Sequence, residues 1–178
     1  ADAYRRLGRA KHAEDHLKIA IDLDPKDLSS REMLGQLYLL NRNYIAAENQ
    51  FLVLNHLDQY NDDYLSILGD IAKLQQQWNK SIDFFLEANK INPQNFKVLE
   101  SAMQVCLSAE LFEKAESVCK LLAQFEPNNS SYWLTYKQIT AYNKNYKSTL
   151  NSIFELERIN GKSIKLNLEK SAILQELN

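Results

Sequence analysis

Proline and glycine are scarce in this 178-residue sequence, with three and four copies. That argues against a strand-rich sandwich or barrel, whose many turns use both. Cysteine is scarcer still. Cys106 and Cys119 are too few and too far apart for a disulfide scaffold or a four-ligand zinc site, so they read as buried free thiols. Charge of one sign is missing too: the net charge of −2 leaves no basic footprint to neutralise phosphates, which excludes nucleic acid as the expected partner. No apolar run reaches the roughly 18 residues that span a bilayer, and the opening ADAYRRLGRA lacks the apolar core of a signal peptide, so no membrane insertion is expected. The chain reads as soluble, with the cytoplasm favoured over the periplasm. It starts without methionine, inside a half-finished helix, and is expected to be a fragment or a processed form.

What is present is a repeat. Tyr44, Trp78, Phe112 and Tyr146 lie 34 residues apart, and with aromatics at 10% of the chain such a column arises by chance about once in ten thousand. A small or short residue recurs at Ala13, Ala47, Ser81, Ala115 and Thr149. Four residues later come Leu17, Phe51, Phe85, Cys119 and Ile153, and three further Ala20, Leu54, Ala88, Leu122 and Leu156. These columns place an apolar stripe at helical spacing on the second segment of each unit. The turns repeat as well: DPKD, NPQN and EPNN put proline where one helix must stop and a capping side chain where the next begins. Shorter breaks, NRN, QQQ and NKN, divide each unit into two helices of about a dozen residues. With hydrophobic residues at 45% the stripes can form a continuous core.

Leu34, Gly35, Tyr38, Ala47 and Phe51 in one unit, Leu68, Gly69, Phe85 and Pro93 in the next, and Trp133 further on make the sequence resemble the tetratricopeptide repeat family. The resemblance covers nearly the whole chain. It implies an all-α, right-handed superhelical solenoid of antiparallel helix-turn-helix hairpins. Residues 1–27 are expected to form a repeat lacking the start of its first helix, followed by repeats at 28–61, 62–95 and 96–129. A divergent repeat at 130–163 and a final or capping helix at 164–178 complete one continuous solenoid. Met103, Lys137, Tyr136 and Thr140 depart from the family columns, so the hairpin at 130–163 is expected to pack more loosely or differently. Pentatricopeptide arrays fit less well, having a 35-residue unit and an RNA ligand, and no ankyrin signature is found.

In the family, the column one step after the glycine lines a concave groove. Here it holds Asp2, Gln36, Asp70, Gln104 and Gln138, all amides or acids, which suit hydrogen bonding to the main chain of an extended peptide. Glu32, Asp63 and Glu100 add negative charge beside it, Arg5, Arg6, Lys73 and Lys97 positive charge. Leu39, Leu40, Leu74, Leu107, Leu134 and Tyr142 offer apolar contact or belong to the core between repeats. Carboxylate capture of the co-chaperone type is not expected, since of Glu32, Gln36, Ile67, Lys97 and Ser101, which stand at its basic and amide positions, only Lys97 is basic. His12 and His16 share a helical face without a third ligand nearby, and no nucleophile motif or phosphate-cradling loop is present. No metal site, cofactor or catalysis is therefore expected. The implied function is a scaffold or adaptor that binds a protein or peptide in the groove. The alternatives are a docking segment of a larger enzyme or of a secretion or assembly machine, and a self-assembling scaffold joined through end helices such as Ile164 to Leu177.

Overall fold

The computed structural model describes residues 2–177, with side chains from Arg9 onward. Ten helices and no strand occur among the described residues. They are α1 (Asp2–Leu23), α2 (Leu28–Leu40), α3 (Tyr44–Leu57), α4 (Asp62–Leu74), α5 (Trp78–Ile91), α6 (Phe96–Ser108), α7 (Phe112–Phe125), α8 (Ser130–Tyr142), α9 (Tyr146–Asn160) and α10 (Ile164–Glu176). The fold is an all-α solenoid in which α2 and α3, α4 and α5, α6 and α7, and α8 and α9 pair as antiparallel hairpins. The helices group into two compact units, 1–93 and 94–178.

Polar side chains set the helix starts. Asp27 accepts hydrogen bonds from the amides of Ser29 and Ser30 at 3.0 and 3.3 Å, and Asn129 accepts from Ser131 at 3.1 Å. Each satisfies amides that a first helical turn otherwise leaves without a partner. Asn43, Asn61, Asn145 and Ser163 cap α3, α4, α9 and α10 in the same way. The turn prolines contribute their carbonyls: Arg31 Nε donates to Pro25 O at 3.1 Å, and Trp133 Nε1 donates to Pro127 O at 2.9 Å. Within each hairpin the first helix ends in a residue of left-handed backbone. These residues are Arg42, Gln76, Glu110 and Lys144, with φ of 57°, 58°, 55° and 57°. The amide after each returns to the first helix, as from Asn43 to Tyr38 O at 2.8 Å and from Gln77 to Ala72 O at 2.8 Å. This is a Schellman-type ending made without its usual glycine.

In 1–93, the hairpin columns meet as their spacing requires. Ala47, Phe51, Leu54, Ser81, Ile82, Phe85 and Ala88 are all buried, as are Leu34, Tyr38, Leu68 and Ile71 of the first helices. Gly35 and Gly69 make room for an aromatic ring. A Cβ on Gly35 would lie 2.7 Å from Phe51 Cε2, and one on Gly69 would lie 2.6, 2.8 and 2.9 Å from three ring atoms of Phe85. It is the phenyl ring that requires glycine. Ser81 does face Gly69, donating its Oγ to Gly69 O at 2.8 Å. The first segment departs from the hairpin pattern. α1 runs unbroken through positions 7–9, which align with the break at 41–43, and packs against α2. Ala13 is exposed and Leu17 half-buried, whereas the members of the same columns in the following hairpins are buried.

In 94–178, the columns again bury Ala115, Cys119, Leu122, Thr149, Ile153 and Leu156. The hairpin of α8 and α9 packs differently from the others. Thr140, Thr149 and Ser152 are buried, and the Thr149 hydroxyl lies 3.0 Å from that of Thr140 across the two helices. Thr140 Oγ1 also donates to Tyr136 O at 2.9 Å and Ser152 Oγ to Ser148 O at 2.9 Å, so the hydroxyls carry no unpaired donor into the core. At the turn side, the Asn143 and Asn145 amides donate to the two oxygens of Glu116, tying this hairpin to α7. α10 packs on α9 without a fully buried residue of its own.

Candidate functional site

One residue along an α-helix turns about 100°, so a packed glycine or its replacement turns the next side chain outward. Gln36, Asp70, Gln104 and Gln138 are all exposed. The side chains of Asp2, Arg5 and Arg6 lie outside the described residues. Three clefts each lie between helices of a single compact unit, the second and third with the amide column on the first of their helices and the first with it on the second. The first, about 490 Å³, is walled by Ala13 and Leu17 of α1 and by Glu32, Met33, Gln36 and Leu40 of α2. The second, about 300 Å³, lies among α6, α7 and α8, with Gln104 at its edge. The third, about 450 Å³, lies among α8, α9 and α10 and is lined by Gln138, Ala141, Thr149 and Ile173.

Of the expected groove residues, Glu32 and Gln36 thus share one cleft, Glu100 and Gln104 another, and Gln138 lines the third. Asp63, Asp70, Lys73 and Lys97 line none of these three. Asp70 is engaged by Lys73, whose Nζ sits 2.6 Å from Asp70 Oδ1. The pair is exposed and offers little stability, yet each partner lowers the charge that the other shows to a ligand. Leu40, Leu74, Leu107, Leu134 and Tyr142 are exposed, whereas Leu39 is half-buried. Apolar contact surface therefore accompanies the amides rather than retreating into the core.

The second cleft contains groups that the sequence reading assigned to packing or left unassigned. Met103, Cys119 and Leu122 form its floor, and Ser131, Tyr132 and Thr135 stand on its rim. Tyr132 donates its hydroxyl to Glu100 Oε1 at 2.7 Å. Desolvation, with that carboxylate second, pushes the phenol up to about 12. Cys119 Sγ donates to Tyr132 O at 3.4 Å. Burial pushes this thiol up to about 12 and that of Cys106 up to about 11, so both stay neutral near neutral pH. The signal available in the sequence was a paired exchange, with Met103 and Cys119 standing where Gly35 and Phe51, and Gly69 and Phe85, stand in the hairpins before it.

His12 and His16 are exposed. Among the described residues, no group of three or more potential metal ligands converges, and no helix is long and apolar enough to cross a membrane.

No protein-family model matches the chain. Over 135 residues it is 26% identical to the BBSome complex member BBS4 of Bos taurus, a match covering 76% of this chain and 25% of that protein. The chain thus spans about a quarter of its curated relative's length. Among solved structures it resembles YrrB, a tetratricopeptide repeat protein described as having an unusual peptide-binding site, with a TM-score of 0.59 and 15% identity. That alignment covers 96% of this chain and 88% of YrrB. It also resembles MamA, with a TM-score of 0.60 and 16% identity over 92% of this chain and 90% of MamA. The 34-residue columns, the buried hairpin seams and these likenesses agree: the chain has the tetratricopeptide repeat fold.

Proposed function

We propose that this protein is an interaction scaffold that binds an extended peptide segment of a partner protein along its first-helix face. The observation that carries the reading is the coincidence of amide ladder and clefts. Gln36, Gln104 and Gln138 are each exposed and each line a cleft between helices. A primary amide both donates and accepts, so a rung of this kind matches either polar group of a peptide backbone without choosing a side chain. Selection is left to the clefts and to the charged neighbours Glu32, Asp63, Lys73, Lys97 and Glu100. The mixed signs give no single-sign field, so partner choice rests on short-range contact. Action is by binding alone, with no covalent step.

The test is selection from a random peptide library on the immobilised protein, followed by titration of the enriched peptides. Replacing Gln36, Asp70 and Gln104 together by alanine is expected to weaken binding at least tenfold with an unchanged melting temperature. Undiminished affinity, or a library that yields no specific peptide, overturns the groove reading.

A second reading places the array inside a longer subunit of a multiprotein assembly. It is favoured by the likeness to a BBSome complex member and by the quarter of that protein's length which the chain spans. Cross-linking of the tagged chain in its native cell, followed by mass spectrometry, is expected under this reading to return a fixed set of stoichiometric partners. End-to-end association through α10 is a further form of assembly, since Ile164, Leu168 and Leu177 are exposed there; a mass that stays monomeric as concentration rises would refute it.

A further inference from the structure

The cleft among α6, α7 and α8 differs in chemistry from the ladder beside it. Its floor is Met103, Leu107, Cys119 and Leu122, three of them buried. Three of the polar groups on its walls are already paired: Tyr132 Oη with Glu100, Cys119 Sγ with Tyr132 O, and Thr135 Oγ1 with Ser131 O at 3.0 Å. What enters need not supply hydrogen bonds, and burying an unpaired polar group there would cost stability.

The origin of the space lies in the sequence exchange. In the two preceding hairpins the seam is filled by a phenyl ring on the second helix lying against a glycine on the first. Here the second helix carries Cys119, and the bulk is moved onto Met103 of the first helix. An unbranched thioether is flexible and adapts to what it touches. The cleft of about 300 Å³ also has room for a ring, since an apolar cavity of about 150 Å³ holds benzene.

We infer that this cleft is a side-chain pocket for one bulky apolar residue, phenylalanine- or leucine-sized, of a peptide whose main chain is held at Gln104. The inference rests on the peptide-scaffold reading for the peptide's path, whereas the pocket itself is tested without it. Burial of a ring against Met103 and Leu122 supplies affinity, and the neighbouring amide fixes which residue of the peptide is presented.

The chain has two methionines, Met103 in this pocket and Met33 in 1–93 at the α1 and α2 cleft. Protein labelled with ¹³C at the methionine methyls therefore gives one signal for the pocket and one as a reference. The probes are N-acetyl-phenylalaninamide, N-acetyl-leucinamide and N-acetyl-alaninamide. The phenylalanine probe is expected to move the Met103 signal upfield by its ring current, to saturation, and the leucine probe to compete for the same site. The alanine probe is expected to do neither. Filling the floor with Cys119→Leu, or plugging the half-buried rim with Thr135→Trp if the first variant folds poorly, is expected to abolish the shift. A silent Met103 signal, equal shifts at Met33 and Met103, or a full shift in a folded filled variant would overturn the pocket. If selected peptides bind while Met103 is silent, the pocket fails and the scaffold reading stands; if Met103 responds and no peptide is selected, the reverse holds.

Discussion

Replacing Gly69 by alanine adds one methyl carbon where three atoms of the Phe85 ring stand within 2.6 to 2.9 Å. Intrinsic propensity favours the change, because alanine in a helix interior is better than glycine by about 1 kcal/mol. Packing opposes it. Phe85 is 1% exposed, so its ring has no solvent-facing direction in which to swing. α4 is also pinned to α5 by the hydrogen bond from Ser81 to Gly69 O at 2.8 Å. Forcing a methyl into a packed seam costs about 1–3 kcal/mol in general, and three close ring atoms put this site at the upper end. The net expectation is a destabilisation of about 1–2 kcal/mol, a lowering of the melting temperature by about 2–8 °C for a chain of this size. Gly35→Ala meets one ring atom below 3.0 Å, Phe51 Cε2 at 2.7 Å, with the next two at 3.2 Å, and should be closer to neutral. Urea unfolding followed by circular dichroism measures both. The decisive assay is a double-mutant cycle with Phe85→Leu: removing the ring should recover the alanine's helix benefit, with a coupling of about 1 kcal/mol or more. If Gly69→Ala raises stability, or if the two substitutions add to within about 0.5 kcal/mol, the ring is not the reason for the glycine.

The left-handed residues that end the first helices offer the opposite expectation. Gln76→Gly and Lys144→Gly, at φ of 58° and 57°, relieve a Cβ conflict of about 1–2 kcal/mol and lose part of it to chain entropy. Each should raise stability by about 0.5–1 kcal/mol in thermal melts; a fall would show that the side chain outweighs the backbone. The thiols set a pH dependence. With Cys106 and Cys119 pushed up to about 11 and 12 from an ordinary 9.0, the folded state holds protons that the unfolded state releases. Their contribution is complete below pH 9 and declines as pH rises from 9 toward 12. At pH 8 the folded thiolate fractions are roughly one in a thousand and one in ten thousand. A disulfide exchange reagent should therefore label the native protein far more slowly than the urea-unfolded chain, and equal rates would place the thiols outside the core.

Most of the fold was legible because a repeat prints its packing as columns. Ala47, Ser81, Ala115 and Thr149, and the larger residues four positions on, are buried alike, and one alignment shift is enough to find them. The unbroken α1 was not legible. The breaks at 41–43, 75–77 and 143–145 carry asparagine or glutamine, whereas the corresponding positions 7–9 are Leu, Gly and Arg, and Leu and Arg are ordinary helix formers; the break at 109–111, Ala-Glu-Leu, carries no such signal either. The left-handed positions were hidden for another reason: Arg42, Gln76, Glu110 and Lys144 carry none of glycine's freedom, so the hairpin rather than the residue imposes the conformation. That the Phe51 and Phe85 rings stand closest to Gly35 and Gly69 was not legible, because spacing gives a face and not a distance; Ala47 and Phe51 are one helical turn apart. The exposure of Gln36 and its equivalents follows from the 100° step, whereas their place in a groove is implied by the family resemblance. The clefts beside them were not, since each depends on how side chains from three helices share a volume.

The paired hydroxyls of Thr140 and Thr149 have a meaning beyond satisfied hydrogen bonds. In the hairpin with Phe51 a ring against a glycine sets how the two helices align, and in the hairpin with Phe85 the ring is joined by the bond from Ser81 to a backbone carbonyl. Between α8 and α9 the alignment is set by a directional bond 3.0 Å long, which survives little displacement before its geometry fails. This hairpin is held in register by a polar key linking side chain to side chain, added to the packing of Ile153 and Leu156. It is the place where the array can exchange bulk for small polar groups without losing the pitch that the following helix inherits.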